Sequence, residues 1–291
     1  LSTLYHYTSL QGLIGVITGK SVWASHCEYL NDSSEFIHAL SFAKTVSGNI
    51  FMDDDYLEAF GWAVRDSLEH MVKHDVYVAS FSENADLLSQ WRGYCPQGAG
   101  VSIGFDSEIL NTYCENQGYR LEKCIYDTGI QSSRVIDITS QCLDIFPKPS
   151  ITRADYDALN SKEQVTFTLS ERERTTNGQV KEEATAATDW LCEQVNECAP
   201  LIKHSGFHEE SEWRIVARNP TKNIQYRVSK SHIVPYLVLP LIRDYPEIIK
   251  EIYIGPNPNP HRCEKSVKQL LKSEAIEHVT TKISSIPFNS W

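Results

Sequence analysis

Between residues 56 and 73 the apolar positions Leu57, Phe60, Val64, Leu68 and Met71 recur every three or four residues, the spacing that turns one face of an α-helix toward a core. The period then drops to two. Val76, Val78, Ser80 and Ser82 alternate with Tyr77, Ala79 and Phe81, which predicts a strand over residues 75–82 with two hydroxyls on a face otherwise built of valine. Further strands are predicted at 4–8, 21–24, 101–105 and 119–126, and late in the chain at 210–217, 233–239, 249–254 and 278–283. Helical spacing holds at 10–19, with Ser9 as cap and Gly19 as stop, at 181–204 with a stop at Gly206, and at 263–271. Asn31-Asp32-Ser33 offers caps for a helix through Glu35, Phe36 and Leu40, and Asp106-Ser107 caps a helix after the 101–105 strand. Residues 127–180 are polar, contain Pro147, Pro149 and the run Glu171-Arg172-Glu173-Arg174, and lack a clear period, so they read as an insertion or helical subdomain. Helices early and strands late predict an α+β fold rather than a doubly wound sheet, one domain over 1–291 with 127–180 inserted.

Composition narrows the chemistry. A chain of 291 residues, 41% hydrophobic and 22% charged, has bulk for a substantial core. Its net charge of -11 argues against long-range capture of duplex nucleic acid, which needs clustered Lys and Arg. With no run of 18 apolar residues and no signal-type N-terminus, the expectation is a soluble, cytoplasmic protein without a membrane partner. Eight irregularly spaced cysteines without a Cys-x-x-Cys pair read as reduced thiols and not as zinc ligands. His204 and His208 are separated by the helix-breaking Gly206, so no metal is expected. Gly12, Gly15 and Gly19 do not form Gly-x-Gly-x-x-Gly, and no phosphate-loop string occurs, so any dinucleotide binding is of a non-Rossmann kind.

Three strings carry candidate chemistry. If Glu210 and Glu212 lie on one strand, both carboxylates face one cleft, with Ser211 and Trp213 turned away. One carboxylate would hold a ribose 2'-hydroxyl and stabilise an oxocarbenium-like transition state; the other would serve an acceptor. The alternative is that Glu212 pairs with Arg214, or that Glu209, Glu210 and Glu212 form a solvated strand end. His6 and Thr8 share a face of the first strand and suit ribose hydroxyls, or His6 is a hydrogen-bonded core residue. Ser80 and Ser82 break an apolar face, as ligand-binding hydroxyls or as turn residues. Ser89-Gln90-Trp91-Arg92-Gly93-Tyr94 combines rings and a guanidinium suited to a heterocycle and a diphosphate, or holds a core Trp beside an ion pair.

Read together, these strings resemble the bacterial family catalogued as domain of unknown function 2971. The resemblance rests on Leu4-Tyr5-His6-Tyr7-Thr8-Ser9, Tyr29-Leu30-Asn31-Asp32 with Glu35, Ser80-Phe81-Ser82-Glu83, the 88–94 string, Gly100 through Asp106, Glu210-Ser211-Glu212-Trp213-Arg214, Ile254-Gly255-Pro256 and Ser285-Ile286-Pro287-Phe288. A looser resemblance is to the ADP-ribosyltransferase superfamily, whose early His, middle Ser-x-Ser and late Glu-x-Glu are matched in type and order by His6, Ser80-Phe81-Ser82 and Glu210-Ser211-Glu212. That resemblance implies a split β-sheet core with N-terminal helices, and NAD as substrate. It implies His6, Tyr7 and Thr8 at a ribose, Phe81, Trp91 or Tyr94 stacked on nicotinamide, Ser80 and Ser82 in the pocket and Arg92 at the diphosphate. It also implies Glu212 at the developing cation, so that Glu212→Gln costs catalysis far more than stability, and Glu210 at the acceptor. Three functions follow: transfer of ADP-ribose to a protein side chain or a nucleic-acid base, as in a toxin or phage-defence effector with an antitoxin or other partner protein; NAD glycohydrolysis; and a non-catalytic nucleotide-sensing or interaction domain.

Overall fold

Ser9 turns a strand directly into a helix. Its backbone is extended and its hydroxyl accepts the Gly12 N–H at 3.0 Å, ending β1 (Thr3–Ser9) and opening α1 (Leu10–Gly19). The helix stops on Lys20, which adopts the left-handed conformation at φ 50° and returns its N–H to Val16. The computed structural model describes residues 3–29, 41–42, 44–45, 54–71, 75–95, 100–229 and 231–287. The expected helix through Glu35, Phe36 and Leu40, and Phe288, lie outside the described residues.

Along the chain follow β2 (Val22–His26), α2 (Glu58–Glu69), β3 (Val76–Ser82), α3 (Leu88–Tyr94), β4 (Gly100–Asp106), α4 (Ser107–Gln117) and β5 (Arg120–Lys123). A helical stretch comprises α5 (Thr128–Ile145), α6 (Arg153–Asp157), α7 (Ser161–Thr176) and α8 (Lys181–Cys198). The chain closes with β6 (Glu212–Arg218), β7 (Ile224–Val228), β8 (Ile233–Leu239), α9 (Leu241–Asp244), β9 (Ile249–Ile254), α10 (Pro260–Ser273) and β10 (Thr280–Ile283). It divides into two compact units, residues 1–33, 75–124 and 206–291, and residues 34–74 and 125–205. The fold is mixed α+β.

The first unit holds a ten-stranded, mostly antiparallel sheet in the order β10-β9-β4-β1-β3-β2-β8-β7, with β6 on β3 and β5 on β6. The branch at β3 positions the site. One edge of β3 pairs with β6 from Val76↔Arg218 to Ser82↔Glu212. The other is shared: β2 pairs at Tyr77 and Val78, β1 at Ser82, and between these contacts β1 and β2 diverge. The sheet's core face buries Leu4, Ala79, Phe81, Ile103, Ile215 and Leu237, on which α1 lays Leu13, Val16 and Ile17.

The second unit is helical, and its buried stripes explain why 127–180 showed no period. In α5 the buried positions are Gln131, Val135, Ile138, Thr139 and Cys142, and in α7 they are Phe167, Glu171 and Thr175, at helical spacing but half polar. The polar members are satisfied internally: Gln131 Nε2 donates to the carbonyls of Ile125 and Lys203, Thr139 to Val135, and Glu171 accepts from Arg174 Nε and a second guanidinium nitrogen and from the N–H and hydroxyl of Ser150. Hydrophobicity alone does not reveal such stripes.

Candidate active site in the split between β1 and β2

Where β1 and β2 part, the first unit encloses a cavity of about 630 Å³, within the usual range for a small-molecule site. Its floor follows from the ladder registers. Residues paired across antiparallel strands share a face. Ser25↔Val78, Ser80↔Arg214 and Ser82↔Glu212 therefore align Trp23 and Ser25 of β2, Val78 and Ser80 of β3, and Glu212 and Arg214 of β6. All six of those line the cavity. One wall comes from β1 and the start of α1, with Thr8, Ser9, Gln11 and Gly12. Gly12 is required there, because a Cβ would stand 2.0 Å from Thr8 Oγ1.

His6 spans the split. Its Nδ1 lies 2.9 Å from the Ser80 carbonyl oxygen, an acceptor only, so Nδ1 carries the proton and Nε2 is left as a lone-pair acceptor. Burial lowers the imidazole pKa, against a smaller rise from the Ser80 bond, which keeps the ring neutral at physiological pH. This bond takes over where the β1–β3 ladder has ended, so a backbone acceptor fixes both ring orientation and tautomer.

The late carboxylates reach the cavity by a route other than the one expected. Glu210 ends a 3-10 turn, Ser205–Glu210, and Ser211 sits at φ 42°, so the strand begins only at Glu212. Strand alternation does not relate the two glutamates, yet both line the cavity. Glu212 is also ion-paired: Arg214 Nε donates to Oε1 at 2.7 Å and its second guanidinium nitrogen to Oε2 at 3.1 Å, each side chain 5% exposed. The pairing weighed as an alternative is thus present inside the cavity itself.

Of the residues expected at the site, His6, Tyr7, Thr8, Ser80, Phe81, Tyr94, Glu210 and Glu212 line this cavity, whereas Ser82, Trp91 and Arg92 do not. Ser82 is a structural tie, its hydroxyl donating to the Glu210 carbonyl and accepting the Asn84 N–H. Trp91 packs edge-on against Tyr7 and donates its indole N–H to Asp86 at 2.8 Å. Arg92 is exposed on the far side of α3. Phe81 borders the cavity, but its ring is 2% exposed and packs on Phe105, which leaves no face for a ligand. The Tyr7 hydroxyl is committed to the Asn84 carbonyl and the Leu87 N–H.

Trp23, Tyr29, Gln90, Arg214 and Arg227 also line the cavity. Trp23 is 46% exposed, with its ring 4.3 Å from that of Tyr236, and Arg227 hydrogen-bonds Ser25 at 3.2 Å from the edge strand β7. The available signal was alternation: Trp23 stands between Val22 and Ala24, which puts an aromatic ring on the strand face opposite the core. The cavity thus offers aromatic faces, two guanidiniums, two carboxylates and a neutral imidazole. Among the described residues no group of three or more His, Cys, Asp and Glu is placed to hold a metal ion.

Residues 90–215 match the family model described as a protein of unknown function, DUF2971. The match supports the family resemblance read from the sequence. It spans Gln90, Tyr94, Glu210, Glu212 and Arg214 of the cavity, while His6 and Ser80 fall outside it. No curated protein and no solved structure matches the chain. No helix among the described residues is long and apolar enough to cross a membrane.

Proposed function

We propose that the cavity binds NAD and that the protein transfers its ADP-ribosyl group to a macromolecular acceptor, a protein side chain or a nucleic-acid base. One observation carries the reading: His6, Ser80 and Glu212, set far apart in the chain, come from the three neighbouring strands β1, β3 and β6 and line one cavity at the split. In the reaction the bond between ribose C1' and nicotinamide breaks, nicotinamide leaves with the bonding pair, and the acceptor nucleophile bonds to C1'. Glu212 stabilises the positive charge that develops on the ribose. His6 Nε2 accepts from a ribose hydroxyl, and Thr8 and Ser80 add hydroxyls beside it. Glu210 takes the acceptor's proton. Arg227, not Arg92, supplies the cation for the diphosphate, and Trp23 or Tyr94, not Trp91, the stacking face.

The buried Glu212–Arg214 pair favours a second reading, nucleotide binding without turnover, because a carboxylate already neutralised by a guanidinium stabilises a developing cation less. Incubation of purified protein with NAD labelled in the adenylate moiety and a cell lysate separates the two. Transfer predicts macromolecular label that is abolished by Glu212→Gln and reduced by Ser80→Ala, in variants shown by circular dichroism to be folded. Nuclease or protease sensitivity of the label then assigns the acceptor class. Free ADP-ribose alone identifies a glycohydrolase, and NAD binding without turnover identifies the silent domain. Absence of both binding and turnover ends the NAD reading.

A further inference from the structure

We infer that Gln90 reads the hydrogen-bonding edge of a flat heterocycle bound in the cavity, with Tyr94, one turn further along α3, as the adjacent ring. The inference rests on the NAD reading and names which part of the dinucleotide this wall recognises. Gln90 and Tyr94 are four residues apart and share one face of α3, and both line the cavity. A neighbouring face of that helix is committed elsewhere, with Trp91 packed against Tyr7 and Cys95.

Gln90 is 6% exposed, yet its side-chain amide makes no hydrogen bond to any described residue. Buried Gln131, Ser82 and Ser102 by contrast have protein partners, and the Gln90 amide atoms are not among the side-chain atoms sealed from solvent without one, as Glu58 Oε2 and Ser89 Oγ are. A primary amide carries two N–H donors and a carbonyl acceptor, and here only water in the cavity is left to meet them. Gln90 borders the cavity, so a ligand can supply the missing partners.

The ligand edge complementary to a primary amide places a donor beside an acceptor. Two parts of NAD carry such an edge, the nicotinamide carboxamide and the adenine N6/N7 side. Tyr94 offers a half-buried ring beside the amide, and base–aromatic stacking is tolerant of which ring it receives. The shared chemistry is therefore a planar heterocycle with an amide-like edge.

Calorimetric titration with three dinucleotides distinguishes the two ends: NAD, the analogue with an acetyl group in place of the carboxamide, and the analogue with hypoxanthine in place of adenine. Wild-type protein is expected to bind NAD about tenfold or more tightly than one of the two analogues, the discrimination a bidentate pair provides. The analogue that loses affinity names the end. Gln90→Leu is expected to lower NAD affinity by a similar factor and to erase that preference. Its ligand-free melting temperature should be unchanged or raised, because the amide that is replaced makes no hydrogen bond within the protein. Equal wild-type affinity for all three dinucleotides overturns the inference and leaves the NAD reading standing, and needs no variant. A preference retained in Gln90→Leu, or a marked fall in its melting temperature, overturns it as well. Failure of the wild type to bind any of the three overturns both.

Discussion

Glu212 and Arg214 lie two residues apart on β6 and neutralise each other almost out of reach of water. Burying two charges is costly, and the cost is offset only while both are present. Arg214→Leu should therefore destabilise the protein by about 3–5 kcal/mol, the penalty for stranding one buried charge. Joint replacement of Glu212 and Arg214 by Leu should recover most of that loss. Urea denaturation measures both, and a single-variant loss under about 1 kcal/mol would mean that water reaches the pair. The pairing also revises the expectation that Glu212→Gln spares stability. Gln keeps an acceptor for the guanidinium but not its counter-charge, so activity loss in that variant must be read beside its unfolding curve. If Glu212 acts as proposed, its transition-state share is on the order of 2–4 kcal/mol, about thirtyfold to a thousandfold in rate for a folded variant. The late Glu-x-Glu was legible as candidate chemistry. The guanidinium beside it was legible only as one of two options, because an alternating strand places residues 212 and 214 on one face without saying whether that face is wet.

At the scale of elements, the string 89–94 lies on a helix, α3, and this decides which of its residues meet the cavity. Helical spacing sends Gln90 and Tyr94 one way and Trp91 another, whereas an extended segment would have grouped Gln90 with Arg92 and Tyr94. Trp91 instead joins a staple around Asp86, whose carboxylate accepts from the Trp91 indole, the Ser284 hydroxyl and both N–H and hydroxyl of Ser285. Burial alone would raise the Asp86 pKa, but these hydrogen bonds outweigh it and hold the carboxyl below its ordinary value. A folded pKa below the unfolded one means that the staple's stabilisation is complete above the unfolded value of about 3.9 and is lost as pH falls through the folded value. The stability difference between wild type and Asp86→Asn should be constant from pH 7 to pH 5 and shrink below about pH 4. Urea midpoints across that range test it, and a difference as large at pH 3 as at pH 7 would refute the assignment. Several borders were readable from local chemistry: Ile233–Leu239 and Ile249–Ile254 occupy the predicted strands, and Asp106 caps α4 through the N–H groups of Glu108 and Ile109. β7 was not read. Its Ile224, Tyr226 and Val228 do alternate with Gln225 and Arg227, but over five residues, four of them exposed.

Across the whole molecule the cysteines behave as a set. None of the eight is in a disulfide, six are buried, and burial pushes the thiols of Cys95, Cys114 and Cys142 up to about 12 and that of Cys192 to about 11. Thiolate, the reactive form, is therefore scarce at neutral pH in the folded chain. An aromatic disulfide reagent at pH 7.5 should label native protein slowly and titrate eight thiols after denaturation, as followed by absorbance and intact mass. Rapid native labelling of four or more would show that the buried thiols open readily. The expected insertion at 127–180 falls within a helical unit built from residues 34–74 and 125–205, so the sheet unit is assembled from three separated stretches of chain. β3 and β6 pair along their whole length across more than a hundred intervening residues, a nonlocal closure that local patterning does not encode.

The amino-acid order by itself determined α1, α2, α4, α8 and α10 and most strands, the residue types His6, Ser80, Glu210 and Glu212 as candidate chemistry, and the breach of an apolar face at Ser80, because each depends on neighbours within a turn or a ladder step. The tertiary structure alone decided which side chains share a space. Tertiary packing brought Trp23, Gln90 and Arg227 to the cavity with His6 and Glu212, gave Ser82 and Trp91 structural partners instead, and buried the Glu212–Arg214 pair in the cavity lining. Those outcomes follow from register, burial and the branching of β3, which are properties of the assembled sheet and of no single segment.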